Sequence, residues 1–465
     1  MITKKAKIHY FTLTDEMRKE EKLQWFSENK FQNIPFEQIT PDKNNNWITS
    51  DNDFNNLLSV INKSTKSGNN DSSIFKLFSS GIVTNKDEWF YDINETTLKN
   101  KVHFYLSIYN EESRKYKNTD WKKLKDIVNN SIKWTRAVFQ HASKGSEINF
   151  SEKSFVDCHY RPFYKTKLFF SKELNETQYQ MPQIFGKEGS NQNKMICYAC
   201  NEQTPFLLVA ISTLCDLNFC ARGSFCFSLY RYDTKNNRID NITDWGLEQF
   251  KNNYELGITN ELKKGKNVIR NSQFVITKED IFHYVYGVLH NPVYRKKYEL
   301  NLKREFPRIP FYNDFWKWVA WGKELMDLHI NYETVEPYEL KVMSEEFLKK
   351  GKKEVAFSED FIPKAKLKAD KISGEIIIDE LTTIKGIPKE AWEYKLGIRS
   401  AIEWVLDQYK ESTPSDLTIK EKFNTYKFAD YKDHVIDLLK RVVTVSVKTM
   451  EIVKQMETEE STLQP

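Results

Sequence analysis

The sequence predicts an α+β fold: a mixed, β-rich middle followed by a helical C-terminal region. Two patterns carry that prediction. Between Ile74 and Phe250, several short segments alternate apolar and polar residues with the two-residue period of strands. From Thr277 onward apolar residues recur at spacings of three and four, with the Asp, Asn and Pro punctuation of helix starts. A third observation sets the size. The chain has 465 residues, 40% of them hydrophobic and 14% aromatic. That is material for two or three cores at ~150 residues each.

Residues 1–60 open with a predicted strand, Ala6–Phe11, then a charged helix from about Glu16 to Ser27 capped by Asp15, then a loop at Pro41–Asn46. A polar tract, Asn62–Ser73, reads as a connector, and the middle unit runs over 61–275. There Val102–Tyr109 is β-branched and aromatic enough for a strand, although its period also suits a helix. Trp121–Val138 has helical spacing. Tyr160–Phe170 and Ser224–Tyr232 alternate as strands, the latter ending in a hairpin turn at Asp233–Asn237.

The C-terminal unit, 276–465, begins at a capping box, Thr277-Lys-Glu-Asp280. Asn291-Pro292 restarts a helix with Asn as N-cap and Pro at the first helical position. A further helix over Asp314–His329 carries Phe315, Trp316, Trp318 and Trp321, which suit a core better than a stacking platform. A strand at Glu375–Ile378 precedes helices over Arg399–Tyr409 and Tyr431–Met456. In the last of these Val435, Leu438, Leu439, Val442, Val445 and Val453 form an apolar stripe.

Composition excludes several classes. No uncharged run reaches the ~18 residues of a membrane-spanning helix, and the lysines of Met1–Lys7 lead into no apolar stretch, so no secretory leader is predicted. Six cysteines, five of them between Cys197 and Cys226, are too few for a disulfide scaffold. The expectation is a reduced, cytoplasmic protein with no membrane partner. A net charge of +5, from 70 basic and 65 acidic residues, is compatible with nucleic acid without arguing for it.

Short motifs tempt and mostly fail. Asn291-Pro-Val-Tyr294 is close to the loop with which adenine methyltransferases hold a flipped base, but it lacks the second Pro and sits between helices. Ile376–Glu380 has the form of an ATPase magnesium strand, yet there is no phosphate loop to serve it, and no Gly-x-Gly-x-x-Gly follows a strand. Cys197-x-x-Cys200 with Cys215 and Cys220 has the count for zinc, but an apolar run separates the pairs, and packing is the expectation. His283 and His290 share a helical face without a third ligand. No complete catalytic constellation is present.

One segment interleaves basic and aromatic residues. Tyr160–Phe170 as a strand puts Tyr164, Thr166, Leu168 and Phe170 on one face and Lys165 and Lys167 on the other, with Arg161 at its start. Arg222 and Arg231 form a second cluster. Lysines there could meet phosphates and arginines base edges, although a solvated strand face would look the same.

Longer words change the weighting. Ser79-Ser-Gly-Ile-Val-Thr-Asn-Lys-Asp-Glu-Trp-Phe-Tyr91, Ile132-Lys-Trp-Thr-Arg136, Tyr160-Arg-Pro-Phe163, Leu174-Asn-Glu176 and Ile239-Asp-Asn-Ile-Thr-Asp-Trp245 come first. Ile281–Tyr286, Leu302–Phe311 and Tyr394–Ala401 with Glu403-Trp404 follow. In this order they resemble the C-terminal specificity region of type ISP restriction–modification enzymes, from about Lys7 to Val453. In that family a nuclease, a translocating ATPase, an adenine-N6 methyltransferase and a target-recognition domain share one polypeptide.

The resemblance implies a sequence-specific DNA target-recognition module. Residues 1–60 would be the closing edge of a methyltransferase, 61–275 the reader and 276–465 a helical spacer and docking region. Implied partners are double-stranded DNA and the methyltransferase, helicase and nuclease domains of the same system, the chain being a split subunit or a fragment. No cofactor is expected in this chain; S-adenosylmethionine, ATP and magnesium would belong to the missing or partner domains. Around Cys197–Phe225 the family's pattern is followed only loosely. Arg161, Lys165, Lys167, Arg222 and Arg231 are the DNA-binding candidates, Arg222 and Arg231 for base edges and the lysines for phosphates. The alternatives are a methyltransferase acting through an unrecognised site, and a remnant of a split or truncated enzyme that serves only for protein docking.

Overall fold

The computed structural model describes residues 6–42, 45–47, 52–61, 72–201, 203–263, 275–344, 348–350, 353–355 and 361–459. Most of the polar tract 62–73 lies outside these. The fold is α+β, with several small sheets, and a 26-residue helix (Lys432–Glu457) closes the described chain.

Two four-stranded sheets organise the middle. In the first, the hairpin Phe155–Arg161/Tyr164–Phe169 is flanked by Tyr91–Asp92 and, in parallel, by Leu214–Cys215. In the second, Met195–Asn201 pairs with Thr204–Ile211 on one side and Phe225–Ser228 on the other, with Ser79–Ser80 at the edge.

The second sheet separates two cores. Met195, Cys197, Ala199, Leu207, Val209 and Ile211 face one core, while Ile196, Tyr198, Leu208 and Ala210 face the other. Burial on both faces is why these strands read as continuous apolar runs instead of alternating. The first core also draws on 82–185 and 332–445, the second on 54–78 and 276–330, so their sequence segments interleave.

Several helix starts follow local chemistry. Thr277 and Asp280 form the capping box of Lys278–His290, and the Asp314 carboxylate accepts from the Lys317 N–H at 3.0 Å. Asn291 caps the next helix by accepting from the Val293 N–H at 2.9 Å, while its amide donates to the Tyr312 hydroxyl. Asn291-Pro-Val-Tyr294 is therefore a buried helix junction. At the N-terminus the strand is Ile8–Tyr10 and the helix Lys19–Glu28, which starts at Arg18 and not at Asp15 because the Glu21 carboxylate takes the Arg18 N–H.

Three expectations change. Val102–Tyr109 lies within a helix, Glu95–Lys115, capped by Asn94; Leu98, Val102, Tyr105, Leu106 and Tyr109 give its buried stripe. The stripe outweighs strand propensity once Leu98 is counted in the window. Trp121–Val138 is not one helix: Trp121–Leu124 and Arg136–Ser143 are separated by turns, where the Asn129 side chain accepts from the Ser131 N–H. The C-terminal region is helical but also holds a four-stranded sheet, Lys341–Ser344, Thr382–Lys385, Glu375–Asp379 and Ala365–Asp370. Asp379, at the end of the strand that mimics an ATPase motif, accepts from the Leu381 and Thr382 N–H groups and pairs with Lys432 at 2.7 Å. Asp379 thus holds a turn together.

Candidate nucleic-acid interface

The basic segment Tyr160–Phe170 is not one strand as expected: Tyr160 and Arg161 end one strand and Tyr164–Phe169 form the next, antiparallel to it, joined by a tight turn at Pro162-Phe163. Phe163 turns the chain with φ +57° and buries its ring edge-on to Tyr332, 5.1 Å between centroids. Thr166 and Leu168 go inward, and Lys165 and Lys167 lie on the partly exposed face, as the alternation predicts.

Every cation of this hairpin has an internal partner. Arg161 sits 2.7 Å from the buried Asp216 carboxylate, and its guanidinium lies over the Tyr160 ring at 4.0 Å. Burial raises the Asp216 pKa above its ordinary value, and Arg161 opposes that rise. Lys165 pairs with Glu333, and Lys167 pairs with Asp157 at 2.9 Å and Glu95 at 3.4 Å. The lysine pairs are partly solvated, where an ion pair contributes only ~0–1 kcal/mol, so exchanging one costs little. The Arg161–Asp216 pair is different, because removing one partner would leave a charge buried and unpaired.

Arg222 is exposed on the loop after Leu214–Cys215, between Ala221 at φ +74° and Gly223 at φ +91°, and its guanidinium donates to the Gln203 side chain. Arg231 lies on a two-stranded ribbon, Tyr230–Tyr232/Arg238–Asp240, and donates to the Asp240 carbonyl at 3.3 Å. Asp216 follows Leu214–Cys215 and holds Arg161 at one end of the first sheet, whereas Arg222, further along the loop that Asp216 begins, reaches Gln203 at the Asn201–Thr204 turn of the second sheet. Lys165 and Lys167 run along the hairpin, and Arg231 stands on its own ribbon.

A cleft of about 670 Å³ opens at that same sheet end. It is lined by Thr84, Lys86 and Asp87, by Tyr160 and Asp216, and by Asp416. The Tyr160 hydroxyl donates to Asp87 at 3.0 Å, and the Trp89 indole to Asp416 at 2.8 Å. Lys86 donates to Thr135 at 3.1 Å; burial brings its pKa down to about 8, with Glu176 opposing. Tyr160 is pushed well above its ordinary range by burial and then by Asp87, so it serves as a hydrogen-bond donor and not as a proton-transfer group at neutral pH.

Gly81 is obligatory at this cleft. A Cβ there would lie 2.1 Å from the Asp216 carbonyl oxygen. Single motifs missed the cleft. The signal that could have found it is the word Ser79–Tyr91, whose Asp87 accepts from Tyr160 of a second word.

The molecule is an α+β scaffold that gathers charged side chains around a cleft at one end of its first sheet. The chain belongs to the type ISP C-terminal specificity domain family, which matches residues 73–438.

Three solved structures are similar to it. A cryoEM DrdV–DNA complex aligns with TM-score 0.78 and 43% identity over 98% of this chain and 43% of that one. A nuclease-deletion mutant of the type ISP restriction–modification enzyme LlaGI, in complex with a DNA substrate mimic, aligns with TM-score 0.71 and 28% identity over 100% of this chain and 40% of that one. The ATP-dependent type ISP enzyme LlaBIII, bound to DNA, aligns with TM-score 0.66 and 25% identity over 92% of this chain and 26% of that one. The chain thus spans less than half the length of each. No curated protein matches it significantly.

Proposed function

We propose that this chain reads a short, asymmetric double-stranded DNA site and so places an associated adenine-N6 methyltransferase, with its translocase and nuclease, on that site. The observation that carries this reading is the specificity-domain match over 73–438 together with relatives solved on DNA. On this reading 61–275 is the reader and 276–465 the spacer and docking region. S-adenosylmethionine, ATP and magnesium are used by domains outside this sequence. Flipping an adenine costs a few kcal/mol, and phosphate and groove contacts made by the reader help offset it.

Arg222 and Arg231 are assigned to base edges, Lys165 and Lys167 to phosphates. Their placement supports this: Arg222 is exposed on a loop, and the lysine pairs are solvated enough to exchange for phosphate. Arg161 anchors the Arg222 loop through Asp216, so its contact with DNA requires giving up that partner.

A second reading, a protein-docking subunit, is favoured by one observation. The segment proposed as the closing edge of a methyltransferase exposes Leu23, Phe26 and Phe31, at 59%, 52% and 76%. Such apolar side chains suit a surface covered by a neighbouring domain.

DNA binding by the purified full chain at graded salt separates the two. A reader loses affinity steeply, with a log–log slope of about −0.9 per phosphate contacted. Failure to retain any duplex at low salt would leave the docking reading.

A further inference from the structure

Five of the six cysteines are buried, and three converge although they come from three strands. Cys197 and Cys226 are directly opposite in the second sheet, and Cys215 reaches them from the edge strand of the first. The Cys226 sulfur lies 3.6 Å from that of Cys215 and 3.8 Å from that of Cys197, and all three sulfurs lie within 4.8 Å of one another. Cys200 and Cys220, the other members of the zinc pattern suggested by spacing, are not part of this group.

We propose that Cys197, Cys215 and Cys226 form a three-thiolate site for a soft, thiophilic d10 cation of the monovalent-copper type. Metal–sulfur bonds of ~2.3 Å, in geometries from tetrahedral to trigonal, require sulfurs about 3.8–4.0 Å apart, and the two closest pairs are already within a few tenths of that. The scaffold is rigid, since neighbouring strands of a sheet and the abutting edge of a second fix all three Cβ positions.

Among the described residues no fourth His, Cys, Asp or Glu joins the cluster. Structural zinc takes four protein ligands, whereas thiolate softness favours copper(I) in a three-sulfur site. Each bond to the metal displaces a thiol proton to solvent. Buried thiols also pack as small hydrophobes, and the experiment separates packing from ligation.

The full chain is titrated anaerobically with Cu⁺ against a chromophoric copper(I) chelator. The expected result is one equivalent withheld from the chelator by the wild-type chain and by Cys200→Ser, and at least tenfold weaker retention by Cys226→Ala. X-ray absorption on the wild-type complex gives a readout that needs no variant, with three sulfur neighbours expected. Copper taken wholly by the chelator, equal retention by Cys226→Ala, or fewer than three sulfurs around the ion would each overturn the proposal.

Discussion

Arg222 and Lys165 represent two kinds of cation. An arginine on an exposed loop can present its planar fork to a guanine edge, whereas a lysine beside a surface carboxylate is a point charge suited to phosphate. On the motif the chain prefers, Arg222→Ala or Arg231→Ala is expected to cost ~1–3 kcal/mol and to relax preference at one position. Lys165→Ala should weaken preferred and scrambled duplexes alike and reduce the salt slope by about one. Fluorescence anisotropy on both duplexes checks this. Equal losses on both for the two arginines would overturn their assignment. The residue types and alternation of the hairpin were readable, with Lys165 and Lys167 falling on one face. Asp157 faces Lys167 across the hairpin itself, but the partners of Arg161 and Lys165 were not readable, because Asp216 and Glu333 come from other elements.

Elements whose ends are set by adjacent residues were the readable ones. The Thr277–Asp280 capping box, the Asn291-Pro292 restart and the Asp314 cap each depend on contacts within three residues. Val102–Tyr109 is the opposite case: its strand-forming residues yield to a helical stripe that only a longer window reveals.

One contact between elements could not be anticipated from sequence at all. Helices Lys278–His290 and Phe315–Ile330 cross so closely that a Cβ on Gly322 would lie 1.8 Å from the His283 carbonyl oxygen, and one on Gly287 2.7 Å from that of Trp318. The obstacle is backbone in both cases, so the helices must separate to admit a methyl group. Gly322→Ala is therefore expected to destabilise the fold by ~1–3 kcal/mol or more, despite the better helix propensity of alanine. Urea denaturation measures it, and an unchanged or raised midpoint would contradict the close crossing.

The molecule as a whole carries a pH liability in its two cores. Burial lowers His159 and His329 to about 3 and His283 to about 4, and holds His290 well below its ordinary value. With the folded pKa below the unfolded one, near 6.5, the unfolded chain binds more protons as pH falls. Stability is thus intact above about pH 6.5 and declines below it, by up to ~1.4 kcal/mol per pH unit for each histidine until its folded pKa is reached. Thermal melts from pH 7.5 to 4.5 should show a continuous fall in Tm, and a flat profile would contradict neutral burial.

The two-core architecture explains what the sequence withheld. Apolar runs such as Pro205–Leu214 announced burial, but only the fold shows that alternate residues of one sheet serve different cores. The cleft likewise joins Lys86 and Asp87 to Tyr160, Asp216 and Asp416, which are hundreds of positions apart at the extreme, so no local pattern could assemble it.

The central claim is that this chain reads DNA sequence. Its most direct test is to incubate the purified full chain with a randomised duplex pool at two salt concentrations and to sequence what is retained. The account predicts enrichment of one short asymmetric motif that survives the higher salt, since base contacts persist where phosphate contacts weaken. Uniform retention that vanishes at the higher salt, with no motif enriched, would contradict it.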